Sequence, residues 1–149
     1  MFFFRRKRQN IKSKDVVGKT PTKSRPRYLN NNEIPKSYSE KTAESLFCGP
    51  EKYNCAQAVL LTFKNRFAVQ DADIQSAKTM GYGRVPGGLC GALYAGKYLL
   101  SDRVTSEKLT REFERRAGSS QCKRILKLKL ITCKECVALT ARLIDEYSK

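Results

Sequence analysis

The sequence predicts an all-α protein: a compact bundle of about five to six short helices over residues 37–149, preceded by a disordered basic tail over residues 1–36. Three observations carry this reading. Capping boxes at Ser37 with Glu40 and at Thr132 with Glu135 let side-chain oxygens satisfy the unpaired amides of a first helical turn. Apolar residues then recur at helical rather than alternating spacing, as in Cys55, Val59, Phe63 and Phe67. Residues 126–131, LKLKLI, do alternate as a strand would, but a lone strand has nothing to pair with.

Taken in order, the tail is broken by Pro21, Pro26 and Pro35 and shows no recurring apolar period, as expected of disorder. Gly18-Lys19-Thr20 looks like the end of a phosphate-binding loop. Position 13 is Ser where that motif needs Gly, and no strand precedes it, so it is not read as a nucleotide site. An Arg-rich, acid-poor leader also fits an organelle transit peptide, but its apolar face is small, and a plain tail or an upstream start codon is preferred. The first helix runs from Ser37 to about Phe47 and stops before Gly49-Pro50. Asn54 caps CAQAVLLTFKNRF as a buried helix over 55–67, and a shorter helix from Asp71 to about Met80 leads into GYGRVPGG.

GYGRVPGG approaches a dinucleotide fingerprint, but its sixth residue is Pro86 and no strand leads in, so a tight turn is the better reading. LCGALYAGKYLL follows as a helix. Gly91 with Ala95 and Ala92 with Gly96 leave one of its faces nearly bare, so another backbone can approach closely. TSEKLTREFERRA is amphipathic through Leu109 and Phe113 and ends at Gly118. A short helix opens at Ser119 or Ser120, and the last, CKECVALTARLIDEY, sets Leu139, Leu143 and Tyr147 on one side. No internal repeat is seen.

The composition contains no histidine. That removes Ser-His-Asp and Cys-His nucleophile pairs, HExxH zinc enzymes, Cys/His zinc fingers and His-ligated haem. Any structural metal would have to rest on thiolate, as iron–sulfur or zinc. Six cysteines in 149 residues is too sparse for a secreted disulfide scaffold. MFFFRRKRQN places its apolar residues before its charges, unlike a signal peptide, and no run approaches a membrane span. A reducing cytoplasm is the expected setting. The formal charge of +16 is densest in residues 1–40, with 11 Lys+Arg against 3 acids. Nonspecific nucleic-acid contact by the tail is therefore plausible, but no recognition motif is present and no specific nucleic acid is expected.

The remaining signal is the placement of the thiols. With Thr132 as cap, Cys133 falls at the first position of its helix and Cys136 at the fourth, where free amides and the helix dipole favour a thiolate. On local chemistry Cys133 is the better nucleophile. A thioredoxin-type pair is disfavoured because the βαβ surroundings are missing. Cys55 and Cys122 also sit in first turns, and Cys90 follows a glycine turn whose bare amides can approach its sulfur. Cys55, Cys90, Cys122 and Cys136 thus belong to separate helix starts, which suggests that those starts converge on one thiol cluster.

The segments YNCAQAVLLTF, GGLCGALYAG, GSSQCKRIL and KECVALTARLI, in that order, resemble the family of redox-active proteins named for its C_GCAxxG_C_C pattern. The resemblance covers about residues 38–148 and matches the family's four cysteines to Cys55, Cys90, Cys122 and Cys136. Ala95 stands where the family's second glycine is expected, with Gly96 one place later, and Cys48 and Cys133 match no family cysteine. The resemblance implies a compact helical domain with redox-active cysteines in anaerobe-like metabolism. A related arrangement beside the haems of split-Soret cytochromes is associated with an iron–sulfur centre, although this chain has no Cys-x-x-Cys-His haem site. The leading expectation is a redox protein whose four cysteines work by thiol–disulfide exchange or as ligands of an iron–sulfur cluster or zinc, with Cys133 auxiliary. The redox partner is left open. The competing expectation is a non-catalytic helical binding module with structural cysteines.

Overall fold

The computed structural model describes residues 35–149, so the Gly18-Lys19-Thr20 stretch and nearly all of the basic tail lie outside the described residues. Among the described residues there are seven α-helices and no named strand: α1 (Tyr38–Leu46), α2 (Cys55–Thr62), α3 (Asp71–Ser76), α4 (Gly91–Leu99), α5 (Arg103–Ala117), α6 (Cys122–Leu128) and α7 (Cys133–Tyr147). Short 3-10 turns follow at Ala77–Thr79 and Pro86–Gly88. The fold is all-α, and each of the seven helices begins within a few residues of one named from the sequence, so the total exceeds the expected five to six only as a count.

The helix starts are set by the caps expected of them. Ser37 Oγ accepts from the Glu40 amide at 3.2 Å, and the Glu40 carboxylate accepts from the Ser37 amide at 3.2 Å. Thr132 and Glu135 do the same for α7, and Asn54 with Gln57 for α2. The ends differ more. Helix α2 stops at Thr62 rather than running to Phe67, because Phe63 leaves helical backbone at φ −105° and ψ 10°. This buries the Phe63 ring, with Phe67 edge-on at 6.0 Å and the Arg66 guanidinium over both rings. Helix α3 gives way at Ala77 to a 3-10 turn, where the Asn54 amide takes the Ala77 and Lys78 carbonyls at 3.0 Å each.

The core is the meeting of α2, α4 and α7, with α1 packed on α2 and α7, and α5 on α4 and α7. Phe113, Leu60, Leu93, Leu109, Leu143 and Ile144 are its largest fully enclosed side chains. Burying each is worth about 1.5–3 kcal/mol. The bare face of α4 is buried at Ala92, Ala95 and Gly96, and what comes close to Gly96 is side chains, Thr140 of α7 and Leu109 of α5, rather than another backbone. LKLKLI is the end of α6 and a turn. Lys129 takes left-handed backbone at φ 53°, Ile131 is buried, and Leu126 and Leu128 are exposed.

Helix α7 is also tied to α1 by charge. Arg142 grips both oxygens of the buried Glu40 carboxylate at 2.9 and 3.0 Å. Three residues on, Asp145 accepts from Ser37, Ser39 and Arg66 at 3.2, 3.1 and 2.9 Å. No helix among the described residues is long and apolar enough to cross a membrane.

Candidate thiol site

Each sequence-predicted cysteine falls where a helix begins. Cys55 is the first residue of α2, Cys90 the cap residue of α4, Cys122 the first residue of α6, and Cys133 and Cys136 the first and fourth residues of α7. The starts of α4 and α6 are joined by an isolated bridge between Leu89 and Gln121 and by the Cys90 amide donating to the Ser120 carbonyl at 2.8 Å. The turn from Met80 to Arg84 closes over these helix starts. At Gly91 a Cβ would stand 2.6 Å from Cys55 Sγ and 2.7 Å from the Met80 carbonyl oxygen, so only glycine lets α4 begin there. Gly83, at φ 77°, lies against Cys122, whose Cβ would be 2.9 Å from an added Cβ. Between the two turn glycines, Tyr82 is held at φ 56°, and its backbone N–H donates to Cys55.

The thiols feel one another, and their acidities diverge. Cys90 is pulled down from 9.0 to about 7, first because the Cys136 thiol donates a hydrogen bond to it. Burial opposes that shift, while the amides of Leu93 and Ala92 assist it. The same hydrogen bond, together with burial and the Cys90 charge, holds the proton of Cys136 firmly in place. Burial pushes Cys122 up to about 11 and also raises Cys55, against the Tyr82 amide. The arrangement is thus one acidic thiol among protonated ones.

Cys133 departs from the expectation drawn from its helix position. It is half-buried, and its thiol is raised by burial and by the charges of Cys90 and Cys48, with its own amide the lesser influence. The acidic thiol is Cys90. The sequence named Cys48 only as matching no family cysteine, and it did not place Tyr82 beside it. Cys48 is exposed, and its sulfur lies 3.7 Å from the Tyr82 hydroxyl. A signal was available: Gly49-Pro50 folds the chain back between Cys48 and Cys55, and the Cys48 amide bonds the Tyr53 carbonyl at 3.0 Å.

All six cysteines are free thiols. The donor set would suit iron–sulfur or zinc by chemistry, but among the described residues no three Cys, Asp or Glu side chains stand at the mutual spacing a metal ion needs.

An all-helical protein whose reduced thiols gather at helix starts, with one thiol made acidic by another, belongs to the class of cysteine-based redox proteins in form. Residues 53–147 match the family described as "Putative redox-active protein (C_GCAxxG_C_C)", and the chain belongs to that family. The matched stretch contains five of the cysteines, and Cys48 precedes it. No curated protein and no solved structure matches the chain.

Proposed function

We propose that the protein works by dithiol–disulfide exchange and that its working pair is Cys90 and Cys136. The observation that supports this best is the coupling of two buried thiols on the packed helices α4 and α7, in which hydrogen bonding from Cys136 brings Cys90 down from 9.0 to about 7. Oxidation joins Cys90 Sγ to Cys136 Sγ, releases the Cys136 proton, and passes two electrons to a disulfide-bearing acceptor, which leaves as two thiols. Cys55 and Cys122, raised by burial, stay protonated and line the pair without competing for the oxidant. The electron partner is a dithiol or disulfide protein, and the setting is the reducing cytoplasm.

The test is graded oxidation of the full chain with diamide under nitrogen, followed by tryptic mass spectrometry. The expected product links the Cys90 peptide to the Cys136 peptide with loss of two titratable thiols. Persistence of all thiols at excess oxidant would sink the reading. Iron with acid-labile sulfide bound stoichiometrically to protein purified without oxygen would replace it with a cluster.

A further inference from the structure

Successive helices α5 and α6 treat their surface charges differently. Along α5, Arg103 pairs with Glu107, and Arg115 and Arg116 pair with Glu112. Residues 119–134, which hold α6 and the start of α7, contain five cations and no acid: Lys123, Arg124, Lys127, Lys129 and Lys134. All five are exposed, and none meets a carboxylate among the described residues. The next acid, Glu135, is engaged in the cap of α7, where it accepts from the Thr132 amide at 2.6 Å. Folding stability gives no reason for this arrangement. Lys123 and Lys127 stand four apart on α6, and Arg124 and Lys127 three apart, so like charges are neighbours on one helix face. Lys134 is the second residue of α7, where the helix dipole opposes a cation. The same stretch leaves apolar surface open, since Leu126 and Leu128 are 53% and 44% exposed. The turn over the thiol site adjoins it. Gly83 abuts Cys122, the first residue of α6, and its exposed neighbours Tyr82 and Arg84 stack with the guanidinium 5.8 Å from the ring centre. This surface also begins where the site begins: Cys122 directly precedes Lys123, and Lys134 lies between Cys133 and Cys136.

We propose that the exposed face of α6, with the start of α7 and the Tyr82–Arg84 turn beside it, is the docking surface for the redox partner, and that this partner is an acidic protein. Its carboxylates meet Lys123, Arg124, Lys127 and Lys134, and an apolar patch on it covers Leu126 and Leu128. That the partner bears a disulfide rests on the reading of Cys90 and Cys136 as the working pair, whereas its acidity and its seat rest on the surface alone. Complementary charge raises encounter rates by about 10- to 1000-fold and fixes orientation, so it directs the partner onto the helix starts that hold the thiols. The exposed leucines favour a protein over a nucleic acid. A protein interface has an apolar centre inside a polar rim, while a phosphate backbone offers leucine nothing to bury against. A second copy of this chain does not fit, because at a formal +16 it carries the same sign.

The experiment uses the full chain and two synthetic peptides that each carry one disulfide, flanked in one by Glu and in the other by Gln. With rates taken relative to uncharged diamide, the Glu peptide is expected to link Cys90 to Cys136 about tenfold faster than the Gln peptide at low salt, and the two to converge as salt is raised. Lys123→Glu combined with Lys127→Glu is expected to lose that preference. Lys108→Glu combined with Arg111→Glu, an equal change of charge at exposed residues of α5, is expected to keep it. Binding is read separately with the Glu peptide carrying Ser in place of its cysteines, whose affinity should fall about tenfold in the α6 variant and stay unchanged in the α5 variant. Glu and Gln peptides that form the link at equal rates at low salt, or affinity lost equally from both variants or from neither, overturn the docking surface. So does a short DNA duplex that binds wild type more tightly than the Ser peptide and loses that affinity in the α6 variant alone, since the face is then a nucleic-acid site. Binding that follows the expectation while neither the peptides nor diamide link Cys90 to Cys136 overturns the working pair and leaves the surface standing. Circular dichroism checks that both variants fold.

Discussion

The first turn of α7 and its later turns belong to one helix but handle buried polarity in opposite ways. Toward its end, Arg142 meets Glu40 with two hydrogen bonds, and Asp145 is met by Ser37, Ser39 and Arg66. Arg142 and Asp145 each have their complement there, and the result is a clamp on α1. At the start of the helix, Cys133 and Cys136 enter a group of thiols in which no cation is among the causes that set their acidities, and in which one thiol gains acidity as another holds its proton. A satisfied polar cluster fixes structure, and an unequal one stores a difference in proton affinity that chemistry can use.

The sharpest way to break this contrast is to unbalance the clamp. Arg142→Ala leaves the Glu40 carboxylate buried without its main partner and is expected to lower stability by about 3 kcal/mol in urea unfolding. Ultraviolet thiolate absorbance should then titrate as in wild type, and a parallel change there would mean that the two regions are not separate.

Next in size is Gly91→Ala at the thiol end. Its added carbon meets Cys55 Sγ and the Met80 carbonyl, an overpacking expected to cost about 1–3 kcal/mol and to expose Cys55 to alkylation. Unchanged unfolding would show that the turn over the site gives way freely.

Cys136→Ala should act on acidity more than on stability. Without its donor, Cys90 is expected to ionise closer to the ordinary 9.0 than to about 7, so the first rise in thiolate absorbance moves to higher pH. The linked stability effect has a definite sign. The folded-state value of Cys90 lies below its unfolded value, so the stabilisation is fully present above about 9 and is lost as pH falls through about 7. Wild type should show that loss between these limits, and Cys136→Ala should not.

The smallest effect is expected between the two regions. Thr140 is fully buried and its hydroxyl has no hydrogen-bond partner, so Thr140→Val should raise stability by up to about 1 kcal/mol in thermal unfolding. A loss instead would show that the hydroxyl is solvated by a buried water.

What could be read from the sequence follows the range of the forces involved. The caps at Ser37, Asn54 and Thr132 act within three residues, and all three were legible, with the helices they start. The end of α2 was not, because Phe63, Phe67 and Arg66 settle it by packing after the helical period has run its course. The same division holds at the site. That cysteines would occupy helix starts could be seen locally. Which of them is acidic could not, since Cys90 owes its shift to Cys136, and the rule that favoured Cys133 counts helix amides without counting burial.

On the proposed pairing of Cys90 with Cys136, the hydrogen bond between them also sets how many protons accompany each electron pair. Below about pH 7 both sulfurs of the reduced pair carry protons, and above it only Cys136 does. The midpoint potential should therefore fall by about 60 mV per pH unit on the acid side and about 30 mV on the alkaline side, the change from two protons to one per two electrons. Because the chain has no histidine, no imidazole titration overlaps that break. A redox titration across the neutral range would locate the Cys90 proton by voltage alone.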